Sequence, residues 1–283
     1  MAVAPMLASV YDEKRVTFPC VVQPKLDGVR MTMEVRADGT VGSMRSRTGS
    51  DFSHLRSVLG LPVAPTQRAA AVVVVLDGEL YVHGLGFQRI VSLVKNRMKR
   101  HGTTPRKLEY HVYDAWLPSS PGAPLLARLE AAKMAADGLR SRGGRVRDVH
   151  NITAATPAAV QTHLVAFMRK GYEGIMVRDP AAQYEPGRRS RSLSKLKQFD
   201  DADFEVVGFE EASGKDKGTV VLICQTESGA LFKVRPRGTH SQRSRMLHDA
   251  PRAVGKYLTV RFQGRTDSGI PRFPVGVAFR DYE

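Results

Sequence analysis

The feature that most constrains this chain is a turn between two predicted strands, which carries a lysine, an aspartate and a glycine. The apolar run Cys20–Val22 leads into Lys25-Leu26-Asp27-Gly28, and an alternating apolar pattern from Val29 to Val35 leads out of it. A lysine amine is nucleophilic only when unprotonated. Its ordinary pKa is about 10.4, so neighbouring cations, a metal or burial must lower that pKa. Because Asp-Gly is also a common surface turn, a plain β-turn and a nucleophilic lysine both stay open at this point.

Composition and charge predict a folded protein with a polyanionic partner. The chain has 283 residues, of which 42% are hydrophobic, enough to bury the core of one large or two smaller domains. Its net charge of +15 lies almost entirely before Asp200 and favours nucleic acid over a surface that is basic only for solubility. Two cysteines in apolar runs, with no secretory leader and no membrane-length apolar run, predict a soluble, intracellular, cytoplasmic protein without a membrane partner.

Charged residues adjoin several other predicted elements. The run Val72–Leu76 predicts a strand buried on both faces that ends on Asp77-Gly78-Glu79, where carboxylates are costly unless they have partners. Glu173 stands between glycines, after a helix that begins at Thr156-Pro157 and before a strand. Lys195 and Lys197 would share one face of a strand. Turn chemistry explains the acidic segments equally well, and a solvated edge strand explains the lysines.

The remaining elements are mainly strands and short helices. A hairpin turn is predicted at Ala37–Thr40, and its return strand runs into the basic loop Arg45–Gly49. Helices are predicted at Phe87–Arg100 and Leu125–Leu139, and the alternating aromatic segment Leu108–Trp116 predicts a strand containing Tyr113-Asp114. A further strand is predicted at residues 145–152, a mobile basic loop at 184–191, and short strands at 205–209, 219–225, 230–234 and 257–263.

Taken in order, these segments resemble the covalent nucleotidyltransferases, which are the ATP-dependent polynucleotide ligases and the mRNA capping enzymes. Lys25-Leu26-Asp27-Gly28-Val29-Arg30 matches their K-x-D-G-x-R signature. The other matches follow in the family's order and are Ser46-Arg47-Thr48-Gly49, Asp77-Gly78-Glu79-Leu80, Tyr113-Asp114, Glu173-Gly174-Ile175-Met176 and Lys195-Leu196-Lys197. The resemblance spans Gln23 to Phe199 and is strongest to the minimal ATP-dependent DNA ligases of phages and bacteria.

The resemblance implies an α+β protein of two domains. A nucleotidyltransferase, or adenylation, core with antiparallel sheets is expected over residues 1–199, and the composition changes at Asp200. The short strands of residues 200–283 indicate an OB-fold β-barrel. The R-x-D-K motif that ends larger members of the family is absent as such. Arg272 and Arg280 are therefore the candidates in this domain for orienting the pyrophosphate.

The resemblance also implies a role for each matched residue. Lys25 would attack the α-phosphate of ATP, and Asp27 of the same motif is placed with the catalytic residues. Arg30 and Glu79 would contact the ribose, and Tyr113 would stack on adenine, whose amine edge Gln23 could read. Glu173, supported by Asp77, would serve Mg²⁺ or Mn²⁺. Contacts to the ATP phosphates are expected from Lys195 and Lys197, and contacts to DNA from Arg45, Arg47, Arg272 and Arg280.

The implied function is that of a monomeric ATP-dependent DNA ligase acting in DNA repair, replication or recombination. It would seal 3′-OH/5′-phosphate nicks in duplex DNA through a lysyl-AMP intermediate and a DNA-adenylate. One alternative is an RNA ligase or a GTP-dependent capping enzyme. Comparing ATP with GTP, and nicked DNA with nicked RNA, as substrates would distinguish these enzymes from a DNA ligase. The other is a non-catalytic nucleic-acid-binding protein, which would bind DNA without forming a covalent adenylate.

Overall fold

A computed structural model describes residues 3–63, 70–95, 108–266 and 268–280 of the chain. The chain divides into two compact units, Met1–Leu196 and Lys197–Glu283, each with its own hydrophobic core. The strands of the first unit are β1 Leu7–Val10, β2 Cys20–Lys25, β3 Val29–Arg36, β4 Val41–Ser46, β5 Val72–Tyr81, β6 Glu109–Trp116, β7 Val146–Asp148, β8 Ile152–Ala154, β9 Gly174–Arg178 and β10 Arg189–Leu196. Its α-helices are α1 Phe87–Lys95, α2 Leu125–Arg140 and α3 Pro157–Arg169.

These strands form two five-stranded sheets. One sheet has the order β1-β10-β9-β2-β8, and the other has the order β4-β3-β5-β6-β7. Most neighbours are antiparallel, as predicted, but β1 pairs with β10 and β6 with β7 in parallel, so the expectation of purely antiparallel sheets is wrong at these two pairs. Strand β2 enters the first sheet and β3 leaves into the second, so the turn with Lys25 connects the two sheets.

Strand β5 differs from its prediction in where it ends. The apolar run does not stop before the acidic segment, because Asp77, Gly78 and Glu79 continue the strand to Tyr81. The backbone of this segment pairs with β3 on one side and β6 on the other, and the Asp77 carboxylate finds a buried partner in Arg30. Asp77 and Glu79 are therefore residues of the strand itself and not of the loop after it, and Val73 near the start of the strand is exposed.

Other predicted elements have mixed outcomes. The turn at residues 37–40, the helix that begins after the Thr156 cap and the strand that follows Glu173 are confirmed. The single strand predicted at 145–152 is wrong, because β7 and β8 belong to different sheets. The loop predicted to be mobile contains Tyr184, which is buried, and its end forms β10. Helix α1 is confirmed to Lys95, and the rest of that prediction lies outside the described residues.

The second unit is built from five strands and one α-helix. The strands are β11 Asp200–Glu211, β12 Val220–Gln225, β13 Leu231–Pro236, β14 Tyr257–Phe262 and β15 Val275–Arg280, and the helix is α4 His240–Asp249. The strands close into a barrel in the order β11-β12-β13-β15-β14. The core of this unit includes Phe204, Phe232 and Phe262, and the ring of Phe204 packs edge-on against the other two.

Helix α4 was missed in the sequence because it has no apolar face of helical period. The only residue it buries is Arg243. Its start carries a detectable signal, since Thr239 and Gln242 exchange side-chain-to-backbone hydrogen bonds in a capping box. Within the described residues, no helix combines the length and the apolar character needed to cross a membrane.

Gly78 gives a test of the central sheet. A Cβ at this position would lie 2.5 Å from the carbonyl oxygen of His111 and 2.7 Å from the ring of Tyr110, which leaves no space for alanine. We expect Gly78→Ala to lower the free energy of unfolding by about 1–3 kcal/mol or more. The matched control is Gly138→Ala in α2, where the added Cβ would meet nothing within 4 Å apart from its chain neighbours and the backbone of its own helix. This change should stabilise the helix by about 0.5–1 kcal/mol. Urea unfolding midpoints of the two variants are measured against that of the unmodified protein. If both midpoints shifted by the same small amount, the close packing described at Gly78 would be contradicted.

Candidate active site

A pocket in the first unit is lined by side chains from both sheets. It collects predicted site residues that are distant in the sequence, namely Gln23, Lys25, Arg30, Arg47, Asp77, Glu79, Tyr113 and Lys195. The short β2–β3 connection can run between the sheets because Gly28 lies against the carbonyl of Leu80 and the side chain of Glu79, where a Cβ would clash. The pocket is thus formed where strands of both sheets approach one another.

Lys25, which lines this pocket, forms an ion pair with Glu173. Lys25 is the last residue of β2, and it lies opposite Gly174 in the antiparallel pairing of β2 with β9. The backbone N–H of Glu173 donates to the carbonyl of Lys25 at 3.1 Å, and the Lys25 ammonium contacts the Glu173 carboxylate. Strand register therefore places the predicted nucleophile beside the predicted metal carboxylate, and both side chains are largely buried.

Arg30 is held over the pocket by Asp77. Its Nε donates to Asp77 Oδ1 at 2.9 Å and its Nη2 to Oδ2 at 2.5 Å, so the two groups form a bidentate pair. Burial alone would lower the pKa of Arg30, but Asp77 outweighs it and raises that pKa above its ordinary value. The guanidinium carbon lies 5.7 Å from the centre of the Tyr113 ring, which orients an aromatic face next to a fixed cation.

Glu79 lies on the same strand, two residues beyond Asp77. Burial raises the pKa of its carboxyl to about 8, although the nearby cations of Lys25 and Arg30 oppose that shift. The carboxyl is therefore mostly protonated at neutral pH. Its nearest hydroxyl partner is Tyr113, whose Oη lies 3.5 Å from Glu79 Oε2, at the limit of a hydrogen bond. Glu79 consequently keeps most of its hydrogen-bonding capacity for a ligand.

Behind the pocket, Asp114 is buried between two arginines. Arg128 Nε donates to its Oδ1 at 2.9 Å and Nη2 to Oδ2 at 3.1 Å, while Arg178 Nη2 also donates to Oδ2. Burial favours the neutral acid, but the two guanidinium groups hold the pKa of Asp114 below its usual value. Arg128 also donates to the carbonyls of Ala123 and Ala182, so it joins three segments of the chain.

A second buried contact links this network to Arg30. The Tyr184 hydroxyl donates to Asp77 Oδ2 at 2.6 Å and accepts from the backbone N–H of Met6 at 3.0 Å. The Arg128 guanidinium lies 5.6 Å from the centre of the Tyr184 ring. Two carboxylates, Asp77 and Asp114, are thereby held by one set of interconnected side chains.

The other predicted residues are more scattered. Asp27 is half-buried in the turn after β2, and Arg45 lies 3.6 Å from Asp51 at the end of β4. Of the two predicted phosphate lysines, Lys195 lines the pocket, whereas Lys197 belongs to the second unit and donates to Gln263 there at 2.8 Å. The second unit also contains Arg272, stacked on Phe273, and Arg280, 3.3 Å from Asp203.

Comparison with known families assigns both parts of the chain. Residues 5–197 match the model described as an ATP dependent DNA ligase domain, and residues 213–280 match a DNA ligase OB-like domain. The chain belongs to the ATP-dependent DNA ligase family. This membership confirms the resemblance found in the sequence motifs.

Curated relatives of this ligase-family chain are longer than it is. A DNA ligase of African swine fever virus is 28% identical over 279 residues, which cover 92% of this chain and 63% of the viral protein. A probable DNA ligase of Streptomyces griseus is 32% identical over 276 residues, which cover 92% of this chain and 51% of the relative. The chain thus spans between half and two thirds of their length.

Two solved structures show the same fold at full coverage. A Lig E DNA ligase, studied for DNA binding with a minimal scaffold, has 26% identity and a TM-score of 0.76, and the match covers 99% of this chain and 100% of that one. The Chlorella virus DNA ligase-adenylate has 23% identity and a TM-score of 0.55, with 99% of each chain covered, and it supports the fold alone.

The motifs did not reveal four residues that build this ligase-family pocket, namely Arg128, Asn151, Arg178 and Tyr184. Only Arg128 had a usable signal. It occupies the apolar spacing of α2 together with Leu125, Ala132, Ala136 and Leu139, which are all buried. An arginine in such a position indicates a buried partner. Within the described residues, no group of three or more His, Cys, Asp or Glu side chains is arranged to hold a metal ion.

Arg128 should be essential for stability. Replacing it by methionine in Arg128→Met leaves the Asp114 carboxylate buried with one arginine fewer and the Ala182 carbonyl without this donor. We expect a loss of about 3–5 kcal/mol in the free energy of unfolding. Lys133→Met in the same helix breaks only the exposed pair with Asp137 and should leave the free energy of unfolding nearly unchanged, because solvent screens that pair. Chemical denaturation gives the free energy of unfolding of the two variants. Similar losses in both would show that the buried Arg128–Asp114 pair does not make the larger contribution to stability.

Proposed function

We propose that this chain is an ATP-dependent DNA ligase that seals 3′-OH/5′-phosphate nicks in duplex DNA. The observation that carries the proposal is the position of Lys25, at the end of β2 in a pocket that it shares with Arg30, Glu79, Tyr113 and Lys195. A nucleophilic amine among cations and an aromatic ring matches what attack on a nucleotide phosphate requires. Family membership of residues 5–197 gives this arrangement its reaction class.

In the first step the Lys25 amine would attack the α-phosphorus of ATP. A nitrogen–phosphorus bond forms, the bond to the pyrophosphate oxygen breaks, and pyrophosphate leaves with its electron pair. The attacking amine must first lose a proton, and the Glu173 carboxylate in contact with Nζ can accept it. Lys195 would stabilise the charge that develops on the phosphate oxygens. The motif match alone assigns the same role to Lys197.

The next two steps transfer AMP and close the strand. The 5′-phosphate at the nick would attack the lysyl-AMP phosphorus and release the Lys25 amine, which gives the DNA-adenylate. The 3′-hydroxyl then attacks the 5′-phosphate, a phosphodiester forms, and AMP leaves. Asp27, two residues after Lys25 in the turn, is assigned to these steps by its motif alone.

Nucleotide binding is assigned to the pocket walls. The Tyr113 ring would stack on the adenine, an interaction worth about 1–3 kcal/mol per base. Arg30 and Glu79 face each other across the β3–β5 pairing, which suits the two edges of a ribose. Gln23 lies at the pocket wall on β2 and would meet the base edge.

The donor chemistry of the pocket fits a divalent cation at Glu173. Carboxylate oxygens together with substrate phosphates are the ligands Mg²⁺ prefers, and Mn²⁺ accepts the same set. Asp77 has both oxygens engaged by Arg30 and Tyr184, so we assign it to holding Arg30 rather than to the metal. A bound cation would supply charge neutralisation on the ATP phosphates.

DNA binding is assigned to basic residues of both units. We assign residues 1–199 to the adenylation domain and residues 200–283 to an OB-fold domain, a boundary three residues after the division between the two compact units. The net charge of +15 would supply phosphate affinity. Candidate contacts to the backbone of a nicked duplex are Arg45, Arg47, Arg272 and Arg280. The enzyme would act as a monomer in the cytoplasm of a bacterium or of a virus-infected cell, in DNA repair, replication or recombination.

The Lys25 assignment is tested by covalent labelling. The protein is incubated with α-labelled ATP or GTP and Mg²⁺ and then separated by denaturing electrophoresis. We expect label from ATP that chases onto nicked DNA but not onto nicked RNA. In Lys25→Ala the label should disappear because the nucleophile is gone, whereas Lys14→Ala, an exposed lysine of the same unit, should label normally. Label that persists in Lys25→Ala would refute the nucleophile, and label from GTP alone would indicate a capping enzyme.

A further inference from the structure

The side-chain amide of Gln23 is hydrogen-bonded by three protein groups inside the pocket wall. Gln23 lies on β2 at the pocket wall and is almost fully buried. Its Nε2 donates to the carbonyl of Tyr113 at 2.9 Å and to Asn151 Oδ1 at 2.7 Å. Its Oε1 accepts from Arg178 Nη1 at 3.3 Å. Three protein groups therefore contact one amide.

These partners fix which way the amide points. If Oε1 and Nε2 exchanged places, the oxygen would face the Tyr113 carbonyl and Asn151 Oδ1, and the nitrogen would face the N–H groups of Arg178. The reversed amide would thus oppose acceptor to acceptor and donor to donor. Asn151 cannot turn to relieve this conflict cheaply, because its own Nδ2 already donates to the carbonyl of Val149 at 3.0 Å.

Arg178 is itself held in place by the buried network. Its Nη1 donates to the Tyr113 carbonyl at 2.8 Å, and its Nη2 donates to Asp114, which Arg128 holds from the other side. The planar guanidinium fork therefore reaches Gln23, Tyr113 and Asp114 in one fixed geometry. The orientation of Gln23 is determined by residues of α2, β6 and β9 as well as by its own strand.

The fixed amide has acceptor capacity left but no donor capacity. Both hydrogens of Nε2 are used, whereas the carbonyl oxygen has two lone pairs and one protein partner. A purine that meets this oxygen can gain a hydrogen bond from a 6-amino group. A 6-oxo group would place a second acceptor against it and leave both unpaired in a buried site, which is costly.

We propose that Arg178 and Asn151 are positioning residues that lock Gln23 as a hydrogen-bond acceptor and thereby select adenine over guanine nucleotides. The inference rests on the proposed function, since it concerns the nucleotide that Lys25 attacks. Arg178 lines the pocket beside Gln23, and Asn151 contacts the amide of Gln23. Each acts by restricting what the Gln23 amide can offer to the base.

The test compares ATP with GTP as substrates for covalent adenylation or guanylation. Rates of label transfer are measured over a range of nucleotide concentrations, and the ratio of kcat/KM for ATP to that for GTP is the readout. The test variants are Asn151→Ala, which frees one N–H of Gln23, and Arg178→Lys, which keeps a cation near Asp114 but loses the fork. Asn151→Asp is the matched control, because it keeps an oxygen acceptor at the same position.

We expect the ratio to fall by about 3- to 10-fold in Asn151→Ala and by about 10-fold in Arg178→Lys, the range of one hydrogen bond. In Asn151→Ala the change should lie in KM, with kcat for ATP nearly unaltered, and Asn151→Asp should keep the ratio of the unmodified protein within about twofold. Asn151 is exposed, so its replacement should not disturb folding even if Arg178→Lys is unstable. An unchanged ratio in Asn151→Ala, or equal losses with both nucleotides, would overturn the proposal.

Failure of the proposed function would be recognised separately. If the unmodified protein took no covalent label from either nucleotide, the ligase assignment would be wrong. The effect of Asn151 and Arg178 on the Gln23 amide, here called the lock, could still be measured from calorimetric Kd values for ATP and GTP. A Kd ratio that falls in Asn151→Ala and is kept in Asn151→Asp would support the lock without any chemistry. A Kd ratio that is the same in all three proteins would refute it.

Discussion

The buried carboxylate of Asp114 is the constraint on which the pocket depends. An ionised acid without water must be neutralised nearby, and here it is neutralised by Arg128 from α2 and Arg178 from β9. Each arginine has donors to spare, and these reach the carbonyls of Ala182 and Tyr113. One desolvated charge thus fixes the spacing between a helix and strands of both sheets, and the pocket walls follow from that spacing.

The same principle recurs at Asp77, which is the second buried carboxylate of the unit. Its oxygens accept from Arg30 and Tyr184, and Tyr184 accepts in turn from the backbone of Met6. Side chains that would meet the nucleotide, such as Arg30 and Gln23, are therefore oriented by buried polar groups rather than by packing alone. A site built this way has little freedom to adjust, which suits reactions governed by positioning and electrostatics.

The local sequence pattern was sufficient to predict the elements that carry the motifs. Apolar alternation and turn residues predict β2, the Lys25 turn and β3 directly. It was insufficient where long-range partners decide the outcome. The acidic end of β5 looks like a strand exit until Arg30 is placed beside Asp77, and Tyr184 looks like part of a polar loop until its hydroxyl reaches the same carboxylate. The motifs identified several residues that line the pocket and missed Arg178, which also lines it, and Asn151, which contacts the Gln23 amide. Helix α4 escaped because its apolar period is weak.

The order of strands in the sheet that carries Lys25 has a consequence for synthesis. Strand β2 pairs with β8 and β9, and β1 pairs with β10, so residues near the start of the chain find partners about 130 to 185 positions later. Such non-local pairings form slowly and only after the intervening loop is closed. A nascent chain on the ribosome would therefore carry Lys25 for most of translation without Glu173, its ion-pair partner, and without Lys195, which lines the same pocket. The reactivity that we propose for Lys25 would in this way be postponed until the last strand of the first unit has emerged.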